Sequence, residues 1–111
     1  MTQEKFNDVV IGQMDLCSSL LMKKGAEYAP DALLNMEADR LEHFKRVAFL
    51  MNTTEKAALF GMLSKHLVSI SKMCMEERKY PLEKWEEKIT DSINYLFILR
   101  ALVEEEVDEK N

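Results

Sequence analysis

"KITDSINYLFILRAL", residues 88–102, decides the fold. The stretch holds neither Gly nor Pro, and at about 100° per residue the apolar side chains in and around it fall on two faces of a helix rather than one. Trp85, Ile89, Leu96, Leu99 and Val103 make one stripe, while Tyr95, Ile98 and Leu102 make another nearly opposite. Such a helix needs cover on two sides, from this chain or from a second copy, and is expected to be the most buried of its domain. The same projection raises a question. Glu87, Asp91 and Asn94 lie at i, i+4 and i+7 on the face that continues as Ile98 and Leu102, so a face fit for burial begins with two carboxylates and a carboxamide.

Outward from this helix, apolar residues recur at spacings of three and four throughout, and β-branched clusters bounded by turn dipeptides are absent. Thr2 is the expected N-cap of a first helix running to about Lys24, with Gly25 as its stop and a stripe of Phe6, Val9, Val10, Met14, Cys17, Leu20 and Leu21. Pro30 and Asp31 begin a second helix, interrupted near Asn35, that carries Leu34, Leu41, Phe44, Val47, Ala48 and Met51 on one side. "NTTEKAAL" joins a turn to a Thr cap before a third helix over about 55–77, with Leu59, Met62, Leu63, Leu67, Ile70 and Met73 inward. Pro81 opens the fourth, carried to about Glu105. The expectation is an all-α four-helix up-and-down bundle, one domain over 1–105 completed by dimerisation, with 106–111 an acidic, frayed tail.

With 111 residues, 47% of them hydrophobic, only three Gly and two Pro, the chain suits one packed domain. The N-terminus lacks the pattern of a signal peptide and no run approaches about 18 apolar residues, so a soluble, cytoplasmic protein with no membrane partner is expected. Cys17 and Cys74 have no second Cys or His at metal spacing and read as reduced core residues. A net charge of −5 disfavours adhesion to phosphate backbones, so nucleic acid is not an expected partner.

Three polar anomalies mark candidate sites. The Glu87, Asp91 and Asn94 row must meet a cation, a metal, hydrogen-bond donors or water, because unpaired buried carboxylates are costly. Its ordinary alternative is a rim pairing with Lys or Arg. Glu37 projects onto the Leu34, Leu41, Phe44 stripe, either as a wet residue compensating a helix dipole or, with Glu87 and Asp91, as an oxygen ligand of Mg²⁺. His66 sits at the centre of the third helix's stripe, as a satisfied core residue or as a donor to phosphate beside Lys65, Ser69 and Lys72 at i, i+4 and i+7. In the ordinary alternative, Lys65 or Lys72 is the cation that pairs with Asp91. Gly-rich phosphate loops, nucleophile elbows and Cys/His arrangements are absent, leaving metal-assisted chemistry as the one enzyme class with a foothold.

"LLMKKGAEYAPDALLN", "GMLSKHLVSISKM" and "WEEKITDSINYLFILRAL", in that order, resemble small phage and prophage proteins of the MazG-like, all-α nucleoside triphosphate pyrophosphohydrolase group, in its nucleotide-modification-associated branch. The residues that carry the resemblance are Lys24 and Tyr28 as K-x-x-x-Y, the Lys65–His66 pair, and Asp91, Asn94 and Tyr95 as D-x-x-N-Y. It implies a dimeric helical bundle that binds Mg²⁺ and splits a nucleoside triphosphate into monophosphate and pyrophosphate. Glu87 and Asp91 would be catalytic, Glu37 would join them on the metal, and Lys65, His66, Ser69, Asn94 and Tyr95 would contact the nucleotide. Two departures concern the metal motif. Lys88 occupies the glutamate position of the family's E-x-x-D, and the E-E-x-x-E signature is missing. A bundle of this kind could bind or sequester a nucleotide without hydrolysing it. A third reading is a non-catalytic helical interaction protein that binds a host or phage protein, its buried polar network fixing helix register.

Overall fold

The computed structural model describes residues 1–28 and 39–110, and among them all regular structure is helical. The elements are α1 (Gln3–Tyr28), α2 (Glu42–Leu50), α3 (Glu55–Met75) and α4 (Leu82–Lys110). The principal packing runs in series, α1 on α4, α4 on α3 and α3 on α2, which makes α4 central. The expected helix start at Pro30 and Asp31 and the break near Asn35 lie outside the described residues.

Local chemistry fixes the ends. Thr2 Oγ1 accepts from the Lys5 amide at 3.1 Å and caps α1. Gly25 does not stop α1, which continues to Tyr28 with a helical backbone, and no glycine adopts positive φ. In front of α2, Asp39 Oδ1 accepts from the Leu41 amide at 2.9 Å, doing the work of a cap that Leu41 cannot do. Asn52 closes the α2–α3 turn with φ of 52°, a left-handed conformation that Asn tolerates, and Thr54 then caps α3 by accepting from the Ala57 amide at 3.1 Å.

The core lies among α2, α3 and α4. Leu41, Phe44, Leu59 and Leu102 bury almost completely, and Met62, Tyr95, Ile98, Leu99 and Ala101 pack around them. Full burial of each large apolar side chain contributes about 1.5–3 kcal/mol. The last turns of α4 are helical past Glu105. Glu105 pairs with Lys45 at 2.6 Å and Glu106 with Lys56 at 2.8 Å, which ties the acidic end to α2 and α3.

The outer side is different. Of the α1 stripe only Cys17 is buried, while Phe6, Val9, Val10 and Met14 stand exposed with Ile11 beside them. Of the α4 stripe running from Trp85 to Val103, Ile89, Leu96 and Val103 are also exposed. Among the described residues no helix is long and apolar enough to cross a membrane.

Candidate functional site

The α1–α4 seam is polar. Gln13 Nε2 donates to Thr90 Oγ1 at 2.7 Å and approaches Cys17 Sγ at 3.4 Å, while Ser92 Oγ donates back to the Lys88 carbonyl at 2.8 Å. Thr90 and Ser92 are thus buried with partners.

One turn further, the seam opens into a cleft. Asp91, Asn94, Tyr95 and Ile98 of α4 line it, with Leu21 and Lys24 of α1 opposite and Arg40 and Phe44 closing it from the α2 side. Its space is about 330 Å³ with the open mouth included, of which about 20 Å³ takes water centres. The enclosed part holds a water molecule or two, well below the ~300–1,000 Å³ of ordinary small-molecule sites, so a larger ligand has to occupy the open mouth.

Asn94 is only 6% exposed, yet neither its Nδ2 nor its Oδ1 has a hydrogen-bond partner among the described residues. Arg40 donates from Nη2 to the Leu21 carbonyl at 3.3 Å, but its Nη1 is buried and unpaired. His66 adjoins the same residues. Its ring lies 5.2 Å from that of Tyr95, and its Nδ1 stands 3.9 Å from Asp91 Oδ2. That separation is inside ion-pair range but beyond a hydrogen bond, so Nδ1 also counts as unpaired. Each buried polar group left without a partner costs about 1–3 kcal/mol. The four such atoms found among the described residues all lie on Asn94, Arg40 and His66, which makes this the place where a polar partner is wanted.

The charges divide in the same way. Lys45 is committed, since its hydrogen bonds to Asp39 and Glu105 push its pKa well above the usual lysine value. The bond from Lys45, helped by the Leu41 amide, holds the Asp39 carboxyl below its ordinary 3.8 against a smaller desolvation effect. Lys24 and Arg40 have no ion pair with a carboxylate among the described residues.

The expected site residues are therefore only partly united. Asp91, Asn94, Tyr95 and His66 come together. Glu87 does not join them; it is exposed and lines a separate groove with Leu16, Ser19, Leu20 and Lys23. Lys65 is exposed, and Ser69 and Lys72 line a third cleft at the α3–α4 turn with Arg78, Lys84 and Lys88, so that row neither faces Asn94 nor supplies the cation for Asp91. Glu37 lies outside the described residues. No three His, Cys, Asp or Glu side chains converge among the described residues, and Asp91 is the one described carboxylate on the cleft. Among the described residues Asp91 is a single carboxylate beside the cations Lys24 and Arg40, a setting that suits an anion, and Glu87 is not there to share a Mg²⁺ with it.

Arg40 is the residue that sequence reasoning missed. Two signals pointed to it. It stands four positions before Phe44, beside the apolar stripe, and a glycine interrupts the α1 pattern where another group has to approach closely. Comparison with family models, with curated proteins and with solved structures gives no match to this chain.

Proposed function

We propose that the α1–α4 cleft binds a nucleotide, in the manner of a MazG-like bundle that has kept its pocket and lost its metal motif. The observation that carries this reading is Asn94, a carboxamide more than nine-tenths buried whose donor and acceptor are both unused. A planar base or amide edge presents the complementary acceptor and donor, as asparagine meets adenine elsewhere. Lys24 and Arg40 supply positive charge for phosphate, and Asp91 accepts from a hydroxyl or N–H of the ligand. Leu21, Phe44 and Ile98 give the apolar wall that small-molecule sites use. Binding without turnover is the form that this donor set supports best.

The test is a panel of nucleoside triphosphates, with and without Mg²⁺, read by thermal shift and by pyrophosphate release. Stabilisation without release, lost in Asn94→Leu, is the expected result. Release of pyrophosphate would replace sequestration by hydrolysis, and no stabilisation by any nucleotide would overturn the reading.

A second copy of the chain is proposed to cover the exposed α1 face of Phe6, Val10 and Met14 together with Ile89 and Leu96 of α4. Light scattering after size exclusion should show a dimer or larger. A monomer would turn that face over to a different protein partner, the interaction-protein reading.

A further inference from the structure

The strongest unabsorbed feature is the seat of Arg40. Gly25 lies inside α1, where glycine is a poor helix former, and its backbone has no conformation that demands glycine. What it provides is room. A Cβ built there would stand 2.9 Å from Arg40 Nε, 3.5 Å from Cδ and 3.7 Å from Cζ. The missing methyl thus forms a notch in which the guanidinium lies against α1, with Nη2 on the Leu21 carbonyl. Held this way, Nη1 is shut off from bulk water and donates to nothing among the described residues, while the Arg40 side chain lines the same cleft as Lys24. A structural arginine in such a place would be met by a carboxylate. Among the described residues, the adjacent Asp39 is already taken by Lys45 at 2.7 Å and by the Leu41 amide at 2.9 Å, and Asp91 across the cleft forms no ion pair with Arg40.

We infer that Arg40, seated in the Gly25 notch, is an oxyanion-binding group that with Lys24 holds the phosphate of a phosphate ester. The assignment rests on the cleft being a nucleotide site and goes further by naming where the phosphate sits. Guanidinium geometry suits this role, because its fork donates in parallel to two oxygens of one phosphate and remains charged at every relevant pH. Asp91 in the same cleft narrows the ligand class. Its negative charge works against a bare multivalent anion, whereas a phosphate followed by a sugar hydroxyl or base N–H gives the carboxylate something to accept. The occupant is a sugar or nucleoside phosphate in preference to inorganic phosphate.

The experiment titrates inorganic pyrophosphate and each of the four deoxynucleoside diphosphates into wild type, Arg40→Gln, Arg40→Lys and Gly25→Ala by calorimetry, with a melting curve for every variant. Arg40→Gln should weaken the preferred nucleotide by about ten- to a hundredfold, and pyrophosphate less because it starts weaker. Arg40→Lys should recover only part of the loss, since it keeps the charge without the fork. Gly25→Ala separates binding from folding. Alanine is the better helix former, so the melting temperature should hold or rise while affinity falls as the new methyl displaces the guanidinium. Wild-type affinity in both Arg40→Gln and Gly25→Ala would overturn the assignment and leave the nucleotide reading intact. Pyrophosphate binding lost in Arg40→Gln, with no nucleotide bound by wild type, would keep the oxyanion seat and remove the nucleotide. A wild-type chain that takes neither ligand would overturn both.

Discussion

Along α4, side chains from Tyr95 to Leu102 join Leu41, Phe44 and Leu59 in an apolar cluster, whereas the stretch from Thr90 to Asn94 buries one hydroxyl bonded to α1, one bonded back to its own helix, and a carboxamide. The two halves belong to one continuous helix, yet they solve different problems. The first removes apolar surface from water and holds α2, α3 and α4 together. The second places polar groups where water cannot reach them, satisfies Thr90 and Ser92, and leaves Asn94 open. Burial alone therefore says little about purpose. The hydrogen bonds separate the part of the helix that packs by apolar contact from the part whose carboxamide has no partner among the described residues.

The largest effect that could break this comparison is in the apolar half. Leu59, with no exposed surface, should cost about 2–5 kcal/mol when changed to Ala, read by chemical denaturation. A cost of a few tenths would mean that the core lies elsewhere. In the polar half the sign should reverse. Asn94→Leu removes two unpaired buried polar atoms at similar volume, so stability should stay level or rise by about 1–2 kcal/mol while ligand binding disappears. A loss on the scale of Leu59→Ala would show that the carboxamide is part of the scaffold.

The smallest effect concerns the Asp39, Lys45 and Glu105 pairs at the edge of the apolar half. Asp39 has its pKa lowered, so its stabilising contribution is complete above about pH 3.8 and is lost as the pH falls through its depressed native value. Lys45 is shifted upward, so its contribution persists until the pH passes well above 10.5. The Asp39 and Lys45 side chains are 39% and 30% exposed, and solvent screening keeps their pair below about 1 kcal/mol. Melting temperature against pH should fall less steeply at the acid end in Asp39→Asn than in wild type. An acid limb of equal slope would place the acid sensitivity in other carboxylates.

Much of the fold was legible in the sequence because its signals are local. Thr2 and Thr54 cap where their spacing from the first helical turn says they should, and Asn52 turns the chain because Asn accepts positive φ. The α3 stripe turned inward except at Leu67, which is 44% exposed. Gly25 was misread as a stop because helix propensity describes an isolated helix, whereas here the missing side chain serves a neighbour from outside α1. The candidate site was half legible for the same reason. Asp91, Asn94 and Tyr95 share one helix, so their common direction follows from 3.6 residues per turn. Glu87 stands one turn earlier and still opens on a different groove, because α1 lies along α4 and divides its surface there.

By itself, then, the sequence determined four amphipathic segments, where three of the four begin, and which residues on each are anomalous for their face. Those follow from backbone geometry and side-chain chemistry within a few turns of chain. Only the tertiary structure decided that Arg40 and Lys24 stand beside Asn94 while Lys65, Lys72 and Glu87 do not. A helical projection fixes the angle of a side chain about its own axis, and the identity of the group it meets depends on how separate axes cross, which is set by packing summed over the whole molecule.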